Sequence, residues 1–297
     1  VDDDVIYEIP NGKERTTENL RNEFIRICSE IRKKGGLPQV NHPFDVSFST
    51  RYNSEFWDMI EIFESMEIWN GATPFAAGTI NAKAFKKWLS LLDEGKRLTA
   101  TTGSDTHNIY GDDYFGMTEW LDWLMDIVMK HPEIYPVQMN EKVAYLTWLY
   151  KKVWPRLLSW VEQSNTPSTI HNYVYTNGKN QPQEILKAIR EGHSFISNGP
   201  LVTAEVNGAS YGEKAVLKDN TGKLSVHVFS KKPINHLWMY TGADKKVELC
   251  AKADAAEGGF TYDIAADEFD FGDAAWALFV PDVGENNLAI SNPILFA

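Results

Sequence analysis

The sequence predicts an α/β domain over residues 1–200, carrying a helical insertion at 119–163, followed by an antiparallel β domain of small-sandwich type over 201–297. Three observations carry this. Helical apolar spacing alternates with short β-rich runs up to residue 103, and again over 182–197, which is the pattern of a parallel sheet with helical crossovers. An aromatic-rich stretch, with Trp120, Trp123, Trp148, Trp154 and Trp160 among its rings and Pro132, Pro136 and Pro155 as breaks, interrupts that rhythm. After Asn198-Gly199-Pro200 the spacing becomes period two (Val202, Ala204, Val206; Leu224, Val226, Val228), divided by Asn-Gly, Thr-Gly and Gly-Gly turns.

The first helix is expected over 17–34, where Leu20, Phe24, Ile27, Cys28 and Ile31 fall on one face and Gly35-Gly36 ends the run. A short strand follows at 37–41 and stops at His42-Pro43. A helix over 54–64 leads to a strand at 66–69 and the turn pair Asn70-Gly71. A third helix spans 78–94, with Ile80, Phe85, Trp88, Leu89 and Leu92 on a broad face and Gly95 at its end. Residues 98–102 are β-rich and run into Gly103-Ser104-Asp105-Thr106-His107. A helix at 182–192 and a strand at 194–197 complete the α/β part. The insertion reads either as an extra packed layer or as a substrate lid or homo-oligomer surface.

Composition excludes several classes. The formal net charge of −12 and the lack of any basic stripe oppose nucleic-acid binding, because such a surface repels phosphates. No apolar window is long enough to span a membrane, and no signal peptide is visible. Val1 stands where a translation start would carry Met, so residues are expected to precede it. Localisation stays open between an exported and a cytoplasmic protein. Cys28 and Cys250 are far apart among apolar neighbours; buried free thiols are favoured over a disulfide, and no paired spacing suggests thiolate zinc.

Polar, metal-competent residues sit where three strands end. His42 follows the first, Glu67 lies within the second and Asn70 follows it, and Asp105 and His107 follow the third. In parallel α/β sheets the carboxyl ends of the strands form the active face. A carboxylate and an imidazole two residues apart suit zinc, manganese or iron. Such an ion activates bound water. Each residue also has a structural reading: His42 as part of a His-Pro turn, Asp105 as a cap, Glu67 turned inward or against a helix. His131, His171, His193, His227 and His236 have no partnered spacing and read as structural or surface groups.

Gly-Gly-Leu-Pro-Gln-Val-Asn-His-Pro-Phe (35–44), Glu-Ile-Trp-Asn-Gly (67–71), Thr-Gly-Ser-Asp-Thr-His (102–107) and Glu-Gly-His-Ser-Phe-Ile-Ser-Asn-Gly-Pro (191–200) occur in this order. Together with the closing Ser-Asn-Pro-Ile (291–294) they resemble the PHP (polymerase and histidinol phosphatase) superfamily, in its CehA/McbA-like metallohydrolase branch. The resemblance covers nearly the whole chain outside 119–163. It implies a distorted (β/α)7 barrel with a two- or three-metal centre at the strand ends. The implied activity is hydrolysis of phosphoesters or of related ester and carbamate bonds in a small-molecule substrate. It implies His42, Asp105 and His107 as metal ligands, with Glu67 and Asn70 near the substrate.

The family opens with a His-x-His strand, an Asp-His pair and a glutamate. No histidine precedes His42 here, so the barrel is expected to be incomplete, with Glu8 as a candidate remnant of the glutamate strand. Two functions therefore stand side by side: a PHP-like metal-dependent hydrolase, and a non-catalytic binding or scaffold protein with a degenerate or truncated metal site. A homo-oligomer built through the aromatic insertion, one chain completing another, is a third expectation.

Overall fold

The computed structural model describes residues 17–44, 54–71, 75–104, 126, 130, 143–144, 170–249, 253–284 and 286–297. The chain divides into two compact units, Val1–Gly103 with Ile170–Ala297, and Ser104–Thr169. In the second unit the described positions Asp126, Lys130, Val143 and Ala144 are helical. The rest of the expected insertion lies outside the described residues.

The first unit is mixed α/β. Helix α1 (Thr17–Lys33) ends at Gly35, whose φ of 78° is the left-handed value that a glycine after a helix adopts. Strand β1 (Gln39–Val40) follows, then Ser54–Ile62, which forms a 3-10 helix in place of the expected α-helix. Next come β2 (Ser65–Asn70), α2 (Ile80–Asp93) and β3 (Thr99–Gly103). Thr79 caps α2, its hydroxyl accepting from the Ala82 N–H at 3.3 Å. Strands β1, β2 and β3 pair in parallel in that order. Among the described residues the strands close no barrel.

After residue 170 come β4 (His171–Val174), α3 (Pro182–Arg190), β5 (Ser194–Ser197), β6 (Leu201–Val206) and β7 (Lys214–Ala215). They are followed by β8 (Thr221–Ser230), β9 (His236–Gly242), β10 (Lys245–Glu248), β11 (Ala253–Ala256) and β12 (Gly259–Asp270). The chain closes with β13 (Trp276–Gly284), β14 (Asn287–Ser291) and β15 (Ile294–Phe296). One sheet runs β10-β9-β13-β14-β5-β4, with β15 and β7 attached; the other runs β11-β12-β8-β6. The expected antiparallel pairing holds in β6 and β8, whose inward residues Val202, Ala204 and Val206 lie beside Val228, Val226 and Leu224 on the same face of the sheet and enter one core. Asn207 and Gly208, at φ 51° and 81°, make the tight turn after β6 that their sequence predicts.

The larger sheet is buried on both faces over β13 and β14. From β13, Trp276, Leu278 and Val280 enter a core shared with α2 and the three-stranded sheet, while Ala277 and Phe279 enter the core shared with β6 and β8. Strand β14 divides likewise, Leu288 and Ile290 to one side and Ala289 to the other. Successive strand residues point to opposite faces, so a strand with apolar neighbours above and below reads as a continuous apolar run.

Candidate functional site

The three parallel strands bring His42, Glu67 and Asn70 to one edge. On them Gln39 lies beside Ser65 and Ser65 beside Thr99, with Val40, Met66 and Ala100 one step along and Glu67 opposite Thr101. Alternation therefore gives the sheet two unlike faces. Val40, Met66, Ile68 and Ala100 join the hydrophobic core. Gln39, Ser65, Glu67, Thr99 and Thr101 share the opposite, polar face. Ser65, Glu67, Thr99 and Thr101 on it are all buried.

Buried polar groups need partners, and this face supplies several of its own. The hydroxyls of Ser65 and Thr101 donate to Gln39 Oε1 at 3.1 and 2.9 Å, and Gln39 Nε2 donates to Asn41 Oδ1 at 2.7 Å. The Thr102 hydroxyl donates to the Trp69 carbonyl at 2.6 Å. A register shift in β2 between Glu67 and Trp69 marks a bulge, a feature that re-aims side chains at strand ends.

Glu67 is central to the carboxyl edge. Its Oε2 accepts from the His42 backbone N–H at 2.5 Å, and its Oε1 lies 2.9 Å from where a Cβ on Gly103 would sit. A side chain at 103 would meet the carboxylate and displace it. His42 has φ 29°, a sparsely populated conformation for a residue with a side chain. Its Nδ1 is buried without a hydrogen-bond partner among the described residues. Asn70 is placed by α2: Asn81, 2% exposed, accepts from the Asn70 N–H at 2.8 Å and donates to the Asn70 carbonyl at 3.0 Å.

The structure thus brings His42, Glu67 and Asn70 to the same edge, and β3 delivers the chain there at Gly103–Ser104. Asp105 and His107 lie outside the described residues. Among the described residues no group of three histidines, cysteines or carboxylates is close enough to hold a metal ion. His42 Nδ1, buried and without a hydrogen-bond partner among the described residues, and the buried Glu67 carboxylate fit a metal centre in type, but they supply only two donors.

The buried polar face was not foreseen as a unit. Its signal was present in Gln-Val-Asn, Ser-Met-Glu-Ile and Thr-Ala-Thr, where polar and apolar residues alternate in strands that elsewhere would be apolar throughout. Two histidines without partnered sequence spacing acquire partners across strands: His227 Nδ1 meets Asp263 at 2.6 Å, and His236 Nδ1 meets Glu248 at 2.7 Å, both exposed. Their partners lie 36 and 12 residues away, beyond what local spacing reveals. No protein-family model, curated protein or solved structure matches the chain.

Proposed function

We propose that this chain belongs to a PHP-like metal-dependent hydrolase that cleaves phosphoesters or related ester and carbamate bonds of a small-molecule substrate. One observation carries the reading: His42, Glu67 and the end of β3 converge at the carboxyl edge of a parallel sheet whose adjoining face is polar and buried. Ordinary packing gives no reason to bury a carboxylate and a layer of hydroxyls there; a reaction site does. In this reading β1–β3 are part of an incomplete (β/α)7 barrel, and the two antiparallel sheets are the sandwich-like domain that accompanies it. His42, Asp105 and His107 would hold zinc, manganese or iron. When bound, such an ion lowers the pKa of a coordinated water towards neutrality. Glu67 fixes the His42 backbone through its 2.5 Å bond and so orients the imidazole. Asn70, held by Asn81, stands at the substrate side of the same edge.

The test is elemental analysis of the purified chain after incubation with zinc, manganese and iron, beside His42→Ala and His107→Ala. About one or more equivalents of metal per chain is expected from a site of this type, falling in both variants. Hydrolysis of an aryl phosphate or aryl carbamate should fall with it. Native circular dichroism with no metal and no turnover would leave the second reading, a non-catalytic binding protein. That reading has its own support in a preformed cleft beside β6, lined also by Tyr175 and His193.

A further inference from the structure

A cleft of about 440 Å³ is lined by Tyr175 and Asn177, which follow β4, by His193, which precedes β5, and by residues of β6, of the segment after it and of β8. That volume is in the range of small-molecule sites. Tyr175 and His193 form one side, Thr203 and Glu205 the other, and the segment after β6, with Glu213, closes an end.

The walls are held in place by contacts of their own. Gly212, at φ 79°, packs so closely that a Cβ there would meet the Glu191 carbonyl, and its N–H donates to the Pro293 carbonyl at 2.8 Å. Tyr211, 1% exposed, donates its hydroxyl to the Val202 carbonyl at 3.1 Å. The Ser210 hydroxyl reaches the Ala204 carbonyl at 3.3 Å, and the Ser210 N–H donates to Glu213 Oε2 at 2.8 Å. These bonds tie the segment to the β6 edge. A cleft fixed before binding loses little conformational entropy when a ligand arrives.

Its chemistry narrows the ligand. The lining includes Glu205 and Glu213 and neither lysine nor arginine, which disfavours phosphates and carboxylates. Among the described residues no three acids or imidazoles could hold a metal ion. The hydroxyls of Thr203, Ser210 and Ser225 and the Asn177 amide both donate and accept. An ammonium group, which only donates, leaves half of that capacity unused; an alcohol uses all of it. Tyr173 and Tyr175 lie two residues apart, on one side of the chain leaving β4, and are 37% and 38% exposed. The Tyr173 ring lies flat on Phe195, at 4.7 Å and 4° between planes. Exposed rings beside hydroxyl-matching groups suit a ligand with apolar C–H faces and many hydroxyls.

We propose that this cleft binds a neutral saccharide, with Tyr175 as its stacking surface and Glu205, Glu213 and Asn177 as partners of its hydroxyls. Burial pushes the Tyr175 hydroxyl up to about 12, so the phenol stays a neutral donor over the physiological range. The site is separate from the His42 edge and does not depend on a metal.

Isothermal titration of the full chain with glucose, galactose, mannose and N-acetylglucosamine, and with their disaccharides, tests the proposal. Protonated glucosamine serves as the cationic probe. Saturable binding of at least one neutral sugar is expected, weakened about tenfold or more by Tyr175→Ala and less by Tyr175→Phe, which keeps the ring. His42→Ala should leave it unchanged, which separates this proposal from the hydrolase reading. Glu205→Gln, at an exposed position, provides a second variant should Tyr175→Ala fail to fold. The proposal is overturned if no neutral sugar binds, if glucosamine binds more tightly than N-acetylglucosamine, or if sugar affinity survives unchanged in natively folded Tyr175→Ala or Glu205→Gln.

Discussion

Glu64 shows how single residues connect distant parts of the chain. It lies between the 3-10 helix and β2, and its two carboxylate oxygens accept separately from Arg32 of α1 and Arg190 of α3, each at 2.6 Å. Arg190 also donates to the Gly36 carbonyl at 3.1 Å. Burial works against the Glu64 charge, but the two guanidinium groups outweigh it and hold the carboxyl below its ordinary value. The sign of the linkage follows. The unfolded chain takes up this proton at a higher pH than the folded one, so the contribution is complete above the ordinary glutamate value. It is lost as pH falls through the lowered folded value. Denaturant midpoints measured across that acid window should decline less steeply in Glu64→Gln than in the parent chain. Identical slopes would show that the pair contributes nothing there. Cys28 behaves differently: burial pushes its thiol up to about 11, and it is a free thiol as its apolar setting suggested.

At the scale of elements, the instructive case is the outer edge of β3. An unpaired strand edge invites pairing with another chain. Here side-chain amides take the place of a neighbouring strand. Asn292 accepts from the Ala100 N–H at 2.7 Å and donates to the Ala100 carbonyl at 3.3 Å. It also donates to the Ser194 carbonyl at 3.0 Å, joining β3 to the start of β5. Two residues along, Asn172 of β4 accepts from the Thr102 N–H at 3.0 Å and donates to the Thr102 carbonyl at 2.8 Å. An amide side chain carries the same donor and acceptor as a peptide, so it can cap a residue that no strand reaches. Asn292 is completely buried. Its replacement by alanine strands several buried groups at once, and a loss of about 3 kcal/mol is expected, read as a lower urea midpoint. Asn172→Ala, at a more open position, should cost less. A cost within about 0.5 kcal/mol for Asn292→Ala would mean that water replaces the amide there.

For the whole molecule, the decisive feature is that the larger sheet has no solvent face over β13 and β14. Trp276, Leu278 and Ile290 pack towards α2 and the three-stranded sheet, and Phe279 and Ala289 towards β6 and β8. Residues 201–297 expressed alone would therefore expose Trp276, Leu278 and Ile290 together, a contiguous apolar surface. That fragment is expected to be insoluble or to bind a hydrophobic dye while lacking near-ultraviolet circular dichroism. A monomeric fragment with native-like signals would show that the second half folds without the first. The His42–Glu67 edge and the candidate saccharide cleft both lie on the unit of Val1–Gly103 with Ile170–Ala297, so each can be altered while the other reports on folding.

The sequence by itself determined α1, α2 and α3 and the strands β1, β2, β3, β5, β6 and β8, because these depend on periodicity and on turn residues close together in the chain; it set 194–197 with the parallel strands, whereas β5 pairs antiparallel with β4 and β14. It also placed His42, Glu67 and Asn70 at strand ends, which the three parallel strands then align. Other features required the tertiary structure. Residues 54–62 wind as a 3-10 helix, and β4, with its polar and aromatic residues His171-Asn172-Tyr173, forms only because β5 lies beside it. The alternation in Ser-Met-Glu-Ile does not say which face is solvated; packing decided that both are buried. The bonds that brace the edge of β3 span 70 to 192 residues, and the cleft at Tyr175 combines residues from separate strands. Local spacing carries no information about such contacts, because their geometry exists only once the sheets have stacked.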